Sequence, residues 1–96
     1  MKFTHLHTHS HYSLLDGLPK IDELVAAAKA RGFQALALTD HGNLYGAIEF
    51  YEACLSAGIK PIIGLEAYYT PGSRLARGVT DERYYHLVLL ALNETG

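Results

Sequence analysis

The sequence has little that would suit a secreted, membrane-bound or strongly basic protein. Its one cysteine, Cys54, cannot form an internal disulfide, and no signal peptide precedes the first motif. No apolar run reaches the length of a membrane span, and a formal net charge of −2 disfavours broad binding to nucleic acid. We therefore expect a soluble, cytoplasmic chain without a membrane partner. Any contact with a polynucleotide would come through bound metal or through further parts of a longer protein.

What the chain does contain is histidine. Four of its six histidines alternate at the start of the chain, at His5, His7, His9 and His11. Because every second residue of a strand points to the same face, we expect the four imidazoles to converge if this segment is extended. A lone histidine would be an ordinary core residue and a purification tag would be contiguous, but neither describes this pattern. Imidazole is a common ligand of zinc, iron and manganese-type ions, so the pattern predicts a metal site.

Hydrophobic periodicity predicts alternating strands and helices in a chain long enough for one small domain. Residues 21–31 and 47–57 have apolar positions at helical spacing, and a glycine follows each segment. Apolar runs predict strands at 3–9, 35–39, 60–69 and 84–92, with the paired tyrosines of the last two strands packing within the sheet. Successive βα units predict an α/β fold with a parallel sheet, flanking helices and right-handed crossovers. Four such strands leave open apolar edges, so we interpret the chain as the first part of a larger protein.

Candidate ligands lie where the predicted strands end. His7 and His9 close the first strand, Asp40 and His41 follow the second, and Glu66 lies late in the third. The carboxyl ends of parallel strands meet at one edge of a sheet, where functional groups of such folds gather. Nitrogen and carboxylate ligands together suit Zn, Mn or Fe, and a carboxylate can bridge two ions.

Structural roles compete with ligation at several of these positions. Asp40 could simply begin a turn, or it could hold the tautomer of His41. Asp16 precedes Gly17, which is a common turn pair, and it lies in the loop after the first strand. Glu66 is more telling, because buried carboxylates are rare unless they are paired or bind metal. His86 opens the fourth predicted strand instead of closing it, so its position argues against ligation.

Four short segments carry a family resemblance. They read HLHTHS at 5–10, YSLLDG at 12–17, LTDHGN at 38–43 and GIKPIIGLEAY at 58–68. These segments resemble the polymerase-and-histidinol-phosphatase (PHP) domain family, which shares the His-x-His and Thr-Asp-His-Gly pieces throughout. The second and fourth segments are more specific to its polymerase branch, the bacterial DNA polymerase III alpha subunits. The similarity extends through 85–91 and 93–96, and so covers nearly the whole chain.

The resemblance implies a distorted seven-stranded βα barrel, of which this chain would be the first half. It also implies up to three divalent metal ions. Matched position by position, the metal ligands fall on His7, His9, Asp16, His41, Glu66 and His86. A cysteine, an aspartate and a histidine that complete the pattern would lie beyond residue 96. His5 and His11 fall outside the ligand set.

The resemblance further implies a metal-dependent phosphoesterase site of the 3′–5′ exonuclease type. The site would belong to the N-terminal part of a DNA-directed DNA polymerase that acts on DNA with other replicase subunits. Asp16 and His41 would be catalytic, and Asp40 would orient His41. Two alternatives remain, namely a free-standing phosphatase of the histidinol-phosphate type and a non-catalytic scaffold module. The segments at 12–17 and 58–68 favour the polymerase branch, and the retained ligands speak against a pure scaffold.

Overall fold

A three-stranded sheet and two helices make up the described part of the chain. The computed structural model describes residues 3–15, 17–73, 75 and 84–96. Its elements are α1 (Ile21–Ala30), β1 (Ala35–Leu38), α2 (Ala47–Ala57), β2 (Lys60–Tyr69) and β3 (Tyr85–Leu90). The strand order is β1-β2-β3, with β1 and β2 parallel and β2 and β3 antiparallel. Within these residues, neither helix is long and apolar enough to cross a membrane.

Both helices form where their apolar stripes and end signals predict them. Ile21, Val25 and Ala28 recur along one face of α1 and are buried. Phe50 and Cys54 do the same on α2. Gly58 ends α2 in the left-handed conformation, at φ 75°, which glycine adopts without steric cost. The two helices therefore present matching apolar faces to the sheet.

The hydrophobic core lies between the helices and β1. Its buried members are Ile21, Val25, Ala28, Leu36, Leu38, Phe50, Cys54 and Ile59. Ile63 of β2 packs against this cluster and is partly buried. The core thus fixes β1 against both helices and anchors the start of β2, and the carboxyl end of β1 is held beside the middle of β2.

The last strand runs in the opposite direction to our prediction. We expected a parallel strand at 84–92, but β3 is shorter and pairs antiparallel with β2, with Tyr69 opposite Tyr85 and Gly64 opposite Leu90. An apolar run indicates burial but not direction, so the sequence pattern was compatible with either pairing. The consequence is that the beginning of β3 lies beside the end of β2.

The predicted first strand, at 3–9, is not a regular strand either. This segment lies beside β1, because Ala37 N donates to His5 O at 3.0 Å and Thr39 N donates to Thr8 O at 2.8 Å. The two acceptors are three residues apart, whereas a regular ladder would use residues two apart. The strict alternation of side chains is therefore lost, and the histidines of this segment do not all share one face.

Candidate metal centre

Glu66 lies at the centre of a histidine cluster at the end of β2. Its side chain is almost completely buried, with 3 % of the residue exposed. Glu66 N donates to Asp40 O at 3.0 Å, and Gly42 N donates to Glu66 O at 3.0 Å. These bonds continue the parallel pairing of β1 and β2 past the end of β1, where His41 forms a bridge with Glu66. The backbone thereby places His41 beside the carboxylate.

Four imidazoles contact the Glu66 carboxylate. His7 Nε2 lies 3.0 Å from Oε2, and His9 Nε2 contacts the same oxygen. His41 Nδ1 lies 3.2 Å from Oε2, and His86 Nδ1 lies 2.8 Å from Oε1. The side chains of His9 and His41 are 19 % and 15 % exposed, whereas those of His7 and His86 are 55 % and 44 % exposed. The cluster is therefore closed on the inner side and open to solvent at its two outer histidines.

The surrounding histidines keep the carboxylate ionised. Burial raises the pKa of the Glu66 carboxyl, but hydrogen bonds from His7 and His9 and positive charge on His41 and His9 lower it. The lowering effects prevail, so the pKa of Glu66 lies below its ordinary value. An ionised carboxylate is the form of this side chain that binds a divalent cation.

The ligand atoms form two groups that share Glu66. One group is His7, His9 and Glu66, and the other is His41, Glu66 and His86. Within each group the candidate ligand atoms all lie within 4.8 Å of one another. Imidazole nitrogen with carboxylate oxygen is a donor set that suits Zn, Mn or Fe, and a shared carboxylate can lie between two ions. The arrangement fits a divalent metal site.

A buried serine–aspartate network holds the two inner histidines in place. The Asp40 carboxylate accepts hydrogen bonds from Ser10 N at 2.6 Å, Ser10 Oγ at 2.8 Å and Ser13 Oγ at 2.7 Å. Ser13 Oγ in turn accepts a bond from His41 N at 3.0 Å. Because Ser10 follows His9 directly, this network connects the backbones that carry His9 and His41.

A glycine makes the turn of this loop possible. A Cβ on Gly17 would lie 1.7 Å from the carbonyl oxygen of Ser10, which no side chain could tolerate. Gly17 N also donates to Ser13 O at 2.8 Å. Gly17 therefore lies close against Ser10 and Ser13, and both serines reach Asp40.

The structure brings together five of the predicted site residues, namely His7, His9, His41, Glu66 and His86. Asp16 lies outside the described residues, so its predicted roles as ligand and catalytic group stay predictions. The positional argument against His86 was wrong, because it assumed a parallel strand. In the antiparallel pairing His86 lies opposite Tyr68, two residues beyond Glu66, so the start of β3 reaches the site.

The expectation that all four N-terminal imidazoles converge is also wrong. The His5 ring contacts Phe3 and Phe33, with ring centroids 4.7 and 5.2 Å apart. The His11 ring lies against Tyr12 at 4.2 Å. Only His7 and His9 of this run reach Glu66 among the described contacts. This agrees with the set implied by the family resemblance, which left His5 and His11 out.

The sequence analysis missed an aromatic pocket beside the cluster. A cavity of about 490 Å³ is lined by His41 together with His11, Tyr12, Asn43, Tyr45 and Tyr68. We had assigned Tyr68 to packing within the sheet, but it is largely exposed and faces this cavity. Tyr12 and Tyr45 lie close in sequence to the candidate ligands His9 and His41, and this closeness could have indicated the pocket.

Two solved structures share this fold. An amidohydrolase of Chromobacterium violaceum, determined with bound sulfate and no metal, matches 91 % of this chain and 27 % of its own at a TM-score of 0.72 and 32 % identity. A candidate metal-dependent phosphoesterase of Bifidobacterium adolescentis also gives a TM-score of 0.72, at 23 % identity. The second likeness shows the fold alone.

Curated relatives match along the chain but are far longer. The DNA polymerase III alpha subunit of Treponema pallidum is 55 % identical over all of this chain and 8 % of its own length. That of Aquifex aeolicus is 50 % identical over 98 % of this chain and 9 % of its own length. This chain thus spans less than a tenth of these relatives. A profile of the PHP domain matches residues 5–96. With the histidine–glutamate cluster in place inside that match, the chain belongs to the PHP domain family.

Proposed function

We propose that this chain is the N-terminal part of a PHP domain in a bacterial DNA polymerase III alpha subunit, and that its histidine cluster cleaves phosphodiester bonds. The observation that carries this proposal is the convergence of four imidazoles on the buried carboxylate of Glu66. The identity to polymerase III alpha subunits along the whole chain supports the parent protein. The reaction would be a metal-dependent 3′–5′ exonuclease step.

The chain offers two ligand groups to divalent ions, which we propose to be Zn, Mn or Fe. His7, His9 and Glu66 would hold one ion, and His41, Glu66 and His86 would hold a second. Asp16 would join them, with ligands from further along the parent protein completing a third position. When bound, such ions supply Lewis acidity and a water of lowered pKa at neutral pH.

The chain's own residues balance the charge of the site, position His41 and leave one side open to a phosphodiester. The ionised Glu66 carboxylate offsets part of the positive charge of the site, because its pKa lies below the ordinary value. Asp40 would position His41 through Ser13, whose hydroxyl donates to Asp40 and accepts from His41 N. His7 and His86 are about half exposed, so a phosphodiester would approach from their side of the cluster.

The whole parent protein would be a DNA-directed DNA polymerase in the cytoplasm, with DNA and other replicase subunits as partners. Nucleotide addition would belong to a part of that protein beyond this chain. A free-standing phosphatase of the histidinol-phosphate type fits less well, because alpha subunits match 98 % or more of this chain at 50 % identity or above. A scaffold without catalysis fits less well with five candidate ligands that converge at one site.

The substitution Glu66→Gln in the full-length protein tests the proposed function. It keeps the shape of the side chain but removes the charge that both ligand groups share. We expect bound metal, measured by elemental analysis, to fall to near zero. Digestion of 5′-labelled single-stranded DNA from its 3′ end should fall by about a thousandfold or more, while primer extension continues.

Glu52→Gln is the matched control, because Glu52 is an exposed carboxylate on α2. We expect it to retain metal and digestion at the level of the wild type. If Glu66→Gln digests DNA as fast as Glu52→Gln, the proposed site is not the site of hydrolysis.

A further inference from the structure

The aromatic pocket beside the cluster has features of a binding site in its own right. Its cavity of about 490 Å³ adjoins the cluster through His41, which lines the pocket and contacts Glu66. Tyr12, Tyr45 and Tyr68 supply three aromatic rings to its wall. No Asp, Glu, Lys or Arg is among the described residues that line it. The pocket therefore suits an uncharged, planar group that is attached to whatever the cluster binds.

Asn43 organises the pocket before any ligand arrives. Its side-chain amide donates to Tyr12 O at 3.1 Å and to His41 O at 3.0 Å, and its Oδ1 accepts from Tyr45 N at 3.1 Å. One side chain thus fixes the backbone of two tyrosines and of the cluster histidine. The pocket wall and the cluster consequently keep a constant relative position.

Two of the three tyrosine rings, those of Tyr12 and Tyr68, are held by contacts at their edges. Tyr12 Oη donates to Glu49 at 2.9 Å, and this hydrogen bond raises the pKa of Tyr12 and keeps its hydroxyl neutral. The Tyr68 ring meets Tyr84 edge-on at 5.1 Å and His86 at 5.7 Å. Gly42 lets Tyr68 approach, since a Cβ at this position would lie 2.6 Å from that ring. Rings fixed in this way can stack on a ligand at little entropic cost.

We propose that this pocket receives a nucleobase, namely the base of the terminal nucleotide whose phosphodiester the cluster cleaves. The inference rests on the proposed function and deepens it. Stacking on tyrosine is tolerant of base identity, because every base has a flat π-face. A pocket walled by tyrosine rings beside an imidazole cluster matches a ligand with a flat, neutral ring at one end and a phosphate at the other. The same chemistry describes a free nucleotide and the 3′ end of a single strand.

Photocrosslinking in the full-length protein tests the pocket without relying on turnover. The probe is a single-stranded oligonucleotide that ends in 5-iododeoxyuridine, with a phosphorothioate as its last linkage to slow cleavage, in the presence of Mn²⁺. After irradiation, we expect crosslinks in the peptides that contain Tyr12, Tyr45 or Tyr68. The substitution Tyr45→Ala should reduce the crosslink yield severalfold. Crosslinks found only in other parts of the protein overturn the proposal.

Kinetics provide the second measurement. Tyr45 is 79 % exposed, so Tyr45→Ala leaves the core intact. We expect this variant to raise KM about tenfold on an ordinary 3′ end, with little change in kcat, because one stacking ring is lost. The same variant should behave like the wild type on a 3′-terminal abasic residue, which has no base to stack. Tyr45→Phe should restore KM, since it keeps the ring.

Tyr51→Ala is the matched control, because Tyr51 is a half-exposed tyrosine of α2 that does not line this pocket. An equal loss for Tyr45→Ala on ordinary and abasic ends contradicts the base subsite. The base subsite alone would be rejected if Glu66→Gln is inactive while Tyr45→Ala keeps the KM of the wild type and the pocket gives no crosslinks. Active Glu66→Gln would reject the proposed function, and the crosslink positions would still decide whether the pocket binds a base. A mononucleotide that competes with crosslinking as strongly as an oligonucleotide would identify the free nucleotide as sufficient.

Discussion

The two neighbours of β2 differ in direction and in burial. On one side β1 runs parallel to it, and Leu36 and Leu38 are buried beneath the helices, with 2 % and 4 % exposed. On the other side β3 runs antiparallel, and Leu87 and Leu89 remain 48 % and 50 % exposed. Parallel strands are normally covered on both faces, whereas antiparallel strands tolerate exposure. The β1 side is therefore packed and buried, whereas the β3 side is an apolar surface exposed to further contacts.

The cluster draws ligands from both sides of this boundary. His41 comes from the end of β1 and His86 from the start of β3, and Glu66 on β2 lies between them. The inner candidate ligands are thus held by a packed core, while the outer candidate ligand His86 lies on the exposed strand. Disturbing one side should affect metal binding differently from disturbing the other, and the following predictions use that difference.

The largest effect should separate an inner histidine from an outer one. His9 contacts Glu66, and its ring lies 4.0 Å from that of His41, so His9→Ala disturbs both ligand groups. We expect digestion of 5′-labelled single-stranded DNA to fall by about a thousandfold. His86→Ala should cost only about tenfold, because water can replace a half-exposed ligand. His5→Ala, which removes a histidine outside the cluster, should digest like the wild type. Equal losses for His9→Ala and His86→Ala would contradict the distinction between the two sides.

The free energy of unfolding should also respond differently to substitutions on the β1 side and on the β3 side. Phe50 is fully buried, and Phe50→Ala should reduce the free energy of unfolding by about 3–5 kcal/mol through lost burial and a new cavity. Leu89→Ala should cost about 1 kcal/mol or less, since this side chain is half exposed. The measurement is the urea midpoint of the full-length protein, followed by proteolysis within this domain. A loss for Leu89→Ala as large as that for Phe50→Ala would show that another part of the protein covers β3.

Thiol reactivity should also distinguish the two sides, without any effect on catalysis. Burial raises the pKa of the Cys54 thiol to about 11, so at pH 8 very little thiolate is present. We expect iodoacetamide to label Cys54 at least about a hundredfold more slowly than a cysteine introduced on the open side by Leu89→Cys. Because the raised pKa keeps the folded thiol neutral, stability should decline as the pH rises from about 8.5 towards 11. The Leu89→Cys variant contains both cysteines. Rapid labelling of its Cys54 at pH 8 would show that the core opens readily.

The sequence predicted the elements that carry a strong local signal. The helix at 47–57 and the strand at 60–69 have the predicted limits, and the first helix ends one residue earlier than expected. Apolar spacing and the glycines that end the helices act within a few residues, so they can be recognised without tertiary information. Glu66 lies on β2 and His41 follows β1, and the predicted closeness of these two residues is confirmed by the bridge between them.

The direction of β3 and the course of the N-terminal segment depend on distant parts of the chain. The pairing of Tyr85 with Tyr69 depends on tertiary structure, because an apolar strand pattern is compatible with either strand direction. The segment at 3–9 binds β1 through His5 and Thr8, so its side chains depart from the alternation that the sequence suggests. The aromatic pocket was missed because its walls come from three separate segments, of which Asn43 joins only the two that carry Tyr12 and Tyr45.

The shared carboxylate has a consequence for how the chain is held together. His7 and His86 both reach Glu66, although about 79 residues separate them in the sequence. The chain has no disulfide to tie these segments, since Cys54 is its only cysteine. Metal bound by both groups would link the N-terminal segment to β3 in a way that a chelator can reverse. A permanent link closing a loop of this length would lower the entropy of the unfolded chain by an amount worth about 4.5 kcal/mol. Chelation would then loosen β3 as well as stop catalysis.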